Sequence, residues 1–280
     1  MTSIAHLGPS GSYSELAAVT YARWLETKTG CKLDFQPHTT IVKAISAVAS
    51  GAADISVVPV ENSIGGSVTD TLDMMWEFEN LNIHNNLVLP IHHALLSFTA
   101  ELGQISTVYS HPQALAQCQK WLSVNLPQAT QIATSSTTEA LPHLAGQVNT
   151  AAIAPLRAAH LYSIPVLAEA INDHVDNETR FWVLGRSASI QGCHTSLAFS
   201  LPENTPGALL KPLQLFATQE INMSRIESRP TKKILGEYRF FIDIEASLEN
   251  PSTKAAMQLL KNCTKVLKVF GSYSPIPIEP

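Results

Sequence analysis

Ile55-Ser56-Val57-Val58-Pro59-Val60-Glu61-Asn62-Ser63-Ile64-Gly65-Gly66-Ser67 is the stretch on which the fold is decided. A β-rich run enters a polar triplet and two glycines, after which Val68, Leu72 and Met75 keep helical spacing. A strand that ends in polar residues and restarts as a helix is one unit of an open α/β sheet. The same form recurs where Ile4 to Leu7 precedes Gly8-Pro9-Ser10-Gly11-Ser12, where Ile105 to Tyr109 precedes Ser110-His111-Pro112-Gln113, and where Ala151 to Ala154 precedes Pro155. In such sheets ligands bind beyond the carboxyl ends of the strands, so the polar clusters are candidates for one shared site. Ser12 with Glu15, Ser67 with Asp70 and Ser110 with Gln113 each set a capping oxygen three residues before a polar partner, which predicts three helix starts. After Ser110 the helical apolar set is Leu115, Cys118 and Leu122.

Beyond this region the pattern weakens into Gly185-Arg186-Ser187-Ala188-Ser189-Ile190-Gln191-Gly192-Cys193-His194, a linker by composition. The remainder predicts a strand over 196–201, a helix over 207–218, strands over 221–226 and 238–246, a helix over 253–262 and a strand over 266–270. That order is βαββαβ, the ferredoxin-like unit, which names a shape and not a task.

A chain of 280 residues with 45% apolar content can fill one large or two moderate cores. Residues 1–186 carry 8 Lys/Arg against 15 Asp/Glu, and the rest 10 against 8, so no basic face for nucleic acid is expected. Cys31, Cys118, Cys193 and Cys263 show no paired metal-ligand spacing, which fits reduced thiols in a cytoplasmic protein. The longest apolar run, Leu87 to Phe98, contains Pro90, His92 and His93, and neither export nor membrane insertion is expected.

Residue chemistry narrows the site. Gly8-Pro9-Ser10-Gly11-Ser12, between a strand and a helix, would aim backbone N–H groups at an anion or serve only as a turn. Glu61-Asn62-Ser63 is a binding cluster or a plain strand-to-helix loop. Ser110 reads as a helix cap, and Gln117 could project into a cleft from the face opposite Leu115 and Cys118. Thr179-Arg180-Phe181 opens a strand-like run with a hydroxyl, a guanidinium and a ring. Only Arg23, Arg157, Arg180 and Arg186 supply guanidinium in residues 1–186, so a dianion must draw on few cations and on helix N-termini. Arg180 is the best placed, with an ion pair to Asp173 or Asp176 as its alternative role. The histidines form no His-Glu-x-x-His frame, and no metal is expected.

Taken together, Gly8-Pro9-Ser10-Gly11-Ser12-Tyr13-Ser14, Val58 to Val68, Ser110 to Cys118, and Asn177-Glu178-Thr179-Arg180-Phe181 resemble the prephenate dehydratase family. The C-terminal region resembles that family's regulatory ACT domain, with Pro206-Gly207-Ala208-Leu209-Leu210 and Glu227-Ser228-Arg229-Pro230 where phenylalanine-binding motifs would lie. The resemblance implies a two-lobed, type II periplasmic-binding-like catalytic domain over 1–186, with lobe 1 at about 1–79 and 169–186 and lobe 2 at about 80–168. A linker over 187–194 and an ACT domain over 195–272 would follow. It implies loss of water and carbon dioxide from prephenate, without a cofactor, with an active site between the lobes.

Residue type then suggests roles within that frame. Thr179 is the expected donor to the departing hydroxyl, with Arg180 or a helix terminus to polarise it, and Glu61 is a rival acid. Asn62, Ser63, Ser110 and Gln117 would hold carboxylate and keto groups, Gly11 and Ser12 would add backbone donors, and Phe181 would shield the ring. Phenylalanine should act as effector near Gly207, Ala208, Leu209, Glu227, Ser228, Arg229 and Pro230, in a homodimer or homotetramer. Arogenate dehydration, or amino-acid binding without catalysis, are the alternatives.

Overall fold

In the computed structural model, which describes residues 2–277, β1 (Thr2–Leu7) leads into α1 (Tyr13–Thr29), β2 (Leu33–His38) and α2 (Ile41–Ser50). β3 (Ile55–Asn62), the two-residue β4 (Gly66–Ser67), α3 (Thr69–Glu77) and β5 (Asn82–Pro90) follow. Residues 55–58 of β3 are all buried because helices cover both faces of the sheet. Val57 packs with Ala17, Ala18 and Tyr21 of α1, whereas Val58 and Val60 pack with Ile45 of α2 and Leu72 and Met75 of α3.

At Ile91 the chain crosses into a second sheet. Its elements are β6 (His93–Leu96), β7 (Thr107–Ser110), α4 (Pro112–Gln117), α5 (Gln119–Asn125), β8 (Thr130–Ala133), α6 (Leu141–Leu144), β9 (Thr150–Pro155), α7 (Leu156–Tyr162) and β10 (Val166–Ala168). The strand order is β10-β6-β9-β7-β8. The chain returns to the first sheet as β11 (Glu178–Gly185), antiparallel between β3 and β5. The two crossings run side by side, with Ile91 N–H donating to the Asn177 carbonyl at 2.7 Å.

Residues 82–90, expected in lobe 2, belong instead to lobe 1 as β5. The reason is burial: Ile83, Leu87 and Leu89 complete the cores on the two faces of the first sheet. The second lobe therefore starts about ten residues later than the sequence suggests.

The C-terminal region folds as β12 (His194–Ser200), α8 (Leu210–Thr218), β13 (Met223–Pro230), β14 (Tyr238–Ile244), α9 (Pro251–Cys263) and β15 (Val266–Pro275). The order β13-β14-β12-β15 is that of a ferredoxin-like sheet, with Phe216 of α8 and Ala256 and Leu260 of α9 packed on one face. Its other face gives Ala198, Phe241, Phe270 and Tyr273 to the lobe 1 core. β15 runs past its expected end at Phe270 and pairs in parallel with β5 through Ser274 and Pro275, joining both regions into one ten-stranded sheet. Gly271 makes that continuation possible, since at φ +108° a Cβ would lie 2.7 Å from the Ser189 carbonyl oxygen.

Of the three predicted caps, Ser12 serves, its hydroxyl accepting from Glu15 N–H at 3.3 Å. Ser67 does not cap α3, because its hydroxyl is drawn to Glu227 and Arg225 of the C-terminal region. Ser110 ends β7 and donates to the Ile153 carbonyl at 2.7 Å; His111 caps α4, with Pro112 at the first helical position. Leu115, Cys118 and Leu122 are buried as predicted, although the helix breaks at Cys118. The helix predicted from Gly207 starts at Leu210, Gly207 holding φ +80° in the turn before it. Among the described residues no helix is long and apolar enough to cross a membrane.

Candidate active site

Strand alternation, broken once in β3 by an extra residue at Val60, decides what meets in the cleft. Thr179 of β11 lies opposite Asn62 of β3, and both side chains turn to the α1 side of the sheet, towards lobe 2. Asn62 Oδ1 accepts from the backbone N–H groups of Ile64 at 3.2 Å and Gly65 at 2.7 Å. Those donors cannot change sense, so the orientation of the amide is set. Asn62 Nδ2 then directs its two hydrogens at three acceptors, Asn177 Oδ1 at 2.8 Å and, with one hydrogen shared, the Glu178 carbonyl and Thr179 Oγ, both at 3.0 Å. Because Thr179 Oγ is an acceptor there, its own hydrogen is left to point elsewhere.

Lobe 2 meets the same amide. Gln113 and Gln117 of α4 donate to Asn62 Oδ1 at 3.2 and 3.1 Å. Gln117 Oε1 in turn accepts from Asn177 Nδ2 at 3.0 Å and from His93 Nε2 at 3.1 Å. Asn62, Asn177, Gln117 and His93 are all buried. Against Asn62, Gln117 and His93 lies a cavity of about 140 Å3, lined also by Tyr13, Ser14, Ile91, His111, Thr137, Thr179 and Phe181, with Asn177 behind its wall.

The electrostatics of this cavity are those of neutral groups. Burial pushes His93 below the usual histidine range, opposed by its hydrogen bond to Gln117, and burial lowers His111 as well. Burial raises the Tyr13 phenol, against the opposing effect of its hydrogen bond to the His92 carbonyl at 2.5 Å. Thr179 and Phe181 line the cavity together because they stand two apart on one strand.

Most donors of the Gly8 to Ser12 loop are already taken, the Gly8 and Ser12 N–H groups by the carbonyls of His38 and Pro9. Glu15 takes up the Gly11 N–H at 2.8 Å and the Ser10 hydroxyl at 2.6 Å, and pairs across the cleft with Arg157 of α7. Burial disfavours the Glu15 carboxylate, but hydrogen bonds from Ser10, Arg157 and Gly11 outweigh it and hold its pKa below the usual value. Tyr162 Oη donates to the Ser10 carbonyl at 3.1 Å. Gly11, at φ +83°, lies so close to lobe 2 that a Cβ would stand 3.2 Å from Ala158 Cβ and 3.3 Å from Tyr162. Gly11 and Ser12 thus close the cleft and start α1.

Four other expected site residues lie elsewhere. Arg180 and Glu61, next to Thr179 and Asn62, point to the opposite face of the sheet. Arg180 pairs there with Glu61 at 2.9 Å and with buried Asp243 of β14 at 3.0 Å, and so replaces the alternative of Asp173 or Asp176. Asp173 instead caps α5 through the N–H groups of Lys120 and Trp121. Ser63 ties the loop after β3 to β11, accepting from Glu178 N–H at 2.9 Å, and Ser110 is spent on Ile153. Thr179 is thus hydrogen-bonded to Asn62, and the Arg180 guanidinium is turned away from it.

In the C-terminal region, Gly207, Ala208 and Leu209 form the turn into α8. On β13, Glu227 accepts from Ser67 at 2.9 Å and Arg229 donates to Asp73 of α3 at 3.1 Å, while Ser228 and Pro230 are exposed. Asn177, His93, Ser14 and Thr137 were missed as site residues. Asn177 was legible: a period of two through Asn177, Thr179 and Phe181 puts them on one face and excludes Arg180. His93 and Thr137 come from lobe 2, and no local signal joins them to Thr179.

The family model described as prephenate dehydratase matches residues 4–189. A bifunctional chorismate mutase/prephenate dehydratase of Aquifex aeolicus is 38% identical over 96% of this chain and 73% of its own. A prephenate dehydratase of Amycolatopsis methanolica is 36% identical over 98% of this chain and 89% of its own. The crystal structure of prephenate dehydratase from Arthrobacter aurescens in complex with L-Phe superimposes with a TM-score of 0.86 at 32% identity, covering 100% of this chain and 94% of that one.

Proposed function

The chain belongs to the prephenate dehydratase family, and from that premise we propose how its residues perform the dehydration and decarboxylation of prephenate to phenylpyruvate. The enzyme is a carbon–oxygen lyase of phenylalanine biosynthesis that needs no cofactor, and it works in the cytoplasm. As the ring carboxylate departs as carbon dioxide, its bonding pair enters the ring and the C4–oxygen pair leaves. That oxygen takes one proton and ends as water. The product is aromatic, so the leaving oxygen is the group that needs help.

One observation carries the assignment of Thr179. Its oxygen accepts from an Asn62 amide whose orientation is set by two backbone donors, so the hydroxyl hydrogen is free for the cleft. A donor that itself accepts a hydrogen bond is polarised, and its position rather than its acidity makes it useful. Phe181 covers the ring, and a cleft lined by neutral groups strips water from the ring carboxylate, which favours its loss. Gln113 and Gln117 join lobe 2 to the same amide, so closure of the cleft brings lobe 2 onto an amide that the loop after β3 has already oriented.

Phenylalanine is the effector on this proposal, as a relative solved with it bound suggests. It binds at Gly207 to Leu209 and Glu227 to Pro230 in a homodimer or homotetramer, and inhibits by shifting the cleft arrangement. Support comes from the contacts of β13: Glu227 holds Ser67, two residues from the Gly65 N–H that orients Asn62. The same proposal divides the chain into lobes at 1–90 and 169–186 against 91–168, a connection over 187–194 and the regulatory unit over 195–272.

Incubation of the purified protein with prephenate and, separately, arogenate tests the assignment. Phenylpyruvate formed from prephenate, and less product from arogenate, is the expected result. Turnover of arogenate alone would transfer the mechanism to the amino substrate, and turnover of neither would refute it.

A further inference from the structure

The hydrogen bonds around Asn62 also set the state of a residue that the mechanism above leaves idle. Backbone donors make Asn62 Oδ1 an acceptor, so Gln117 must present its Nε2 there and its Oε1 to the other side. Gln117 Oε1 faces His93 Nε2 at 3.1 Å, so that nitrogen carries the hydrogen. His93 Nδ1 is therefore a bare lone pair. It is buried, has no hydrogen-bond partner among the described residues, and belongs to a ring that lines the cleft cavity edge-on to Tyr13.

A buried acceptor without a donor is unfavourable until something supplies one. Prephenate, as a dianion, offers acceptors at both carboxylates and at its keto oxygen. Its only polar hydrogen is on the ring hydroxyl, the group that is lost. We propose that His93 Nδ1 accepts the hydrogen of that ring hydroxyl, holding its oxygen so that a lone pair faces the Thr179 hydroxyl. The leaving oxygen keeps its own hydrogen, gains a second from the Thr179 hydroxyl as the C4–oxygen bond breaks, and departs as water still donating to Nδ1, while the Thr179 oxygen takes a replacement proton from solvent. The histidine takes no proton. Phenylpyruvate has no ring hydroxyl and so cannot make this bond, which separates substrate from product.

The assignment rests on prephenate being the substrate, and two variants of the full chain test it. H93Q keeps an amide N–H for Gln117 and removes the acceptor at Nδ1, whereas H93N keeps an acceptor near Nδ1 and gives up the reach to Gln117. H93Q is expected to lower kcat/KM for prephenate about tenfold, the scale of one lost hydrogen bond, while the inhibition constant of phenylpyruvate stays within about twofold. H93N is expected to retain more activity than H93Q.

The pH profile adds a readout that folding alone would not move. Protonation puts a hydrogen on Nδ1, so wild-type kcat/KM should fall on the acid side, and H93Q should lose that limb. Other titratable groups near His93 are Tyr13, His92 beside it, His111 across the cavity, and Cys118 and Asp173 beyond Gln117. A limb that persists in H93Q but vanishes in H111Q belongs to His111 and overturns the assignment. So does an H93Q enzyme with unchanged kcat/KM, one that weakens prephenate and phenylpyruvate equally, or one that outperforms H93N. If the wild type leaves prephenate unchanged, the substrate is wrong and this role for His93 falls with it; if it turns prephenate over, H93Q decides His93 alone.

Discussion

Glu61 and Asn62 are neighbours on one strand, and Thr179 and Arg180 on the next, yet each pair divides between chemically opposite regions. The face that carries Asn62 and Thr179 is built from amides, hydroxyls and a neutral histidine. The face that carries Glu61 and Arg180 is ionic, with Asp243 and Arg225 completing the group and Ser196 donating to Asp243 at 2.5 Å. The difference teaches where this fold can use charge. On the proposed function a dianionic substrate would meet rigid neutral donors, whereas ions on the far side hold the C-terminal region against the strands that present those donors. A change in one region should therefore alter chemistry, and in the other, stability and regulation.

Thr179→Ala is the strongest attempt to break that division. It should lower kcat for prephenate by on the order of a hundredfold or more while the thermal transition stays near that of the wild type. Unchanged turnover would remove Thr179 from the chemistry.

Asp243→Asn is the converse. It leaves Arg180 and the buried Arg225 short of a counter-charge and should cost about 3 kcal/mol of stability, the low end for breaking a buried pair, because Arg180 can turn partly to water. Denaturant unfolding would measure the loss. Basal turnover should stay within a few-fold, with the response to phenylalanine weakened; a hundredfold loss of turnover would erase the distinction between the two faces.

Asn177→Ala sharpens the comparison within the cleft. It removes the bridge between Asn62 and Gln117 and should lower kcat about tenfold through misplacement of Thr179, with a smaller change in KM. Equal effects on both constants would make Asn177 a binding residue.

The smallest effect concerns pH and closure. Glu15 has a lowered pKa in the folded chain, so its contribution is present in full above the usual carboxylate value and is lost as pH falls through the lowered one. Small-angle scattering should show the lobes opening slightly over that acid range, and Glu15→Gln should be open at every pH.

Much of the fold was legible because burial follows period. The run Ile55 to Val60 and the helical set after Ser67 could hardly lie otherwise than between two covered faces. Local capping chemistry was less legible. Ser12 caps because its other partner, the Leu7 carbonyl, takes only its hydrogen and leaves its oxygen to Glu15 N–H, while Ser67 is claimed by Arg225 and Glu227, 158 and 160 residues further on. In the site, Asn62, Gln117, Thr179 and Phe181 were found from motif and residue type. Arg180 was misplaced because charge was weighed above the two-residue period of a strand, and Glu61 because an extra residue at Val60 breaks that period between Pro59 and Glu61.

Sequence alone determined the α/β alternation, the βαββαβ tail and the family, since these depend on hydrophobic period and on short motifs in order. Tertiary structure alone decided which side of β3 and β11 faces the cleft, that β15 continues into the lobe 1 sheet, and that His93 shares a cavity with Thr179. The physical reason is range. Period and propensity act over a few residues, whereas the bonds that orient Asn62 come from two backbone amides nearby and from two glutamines on the other lobe.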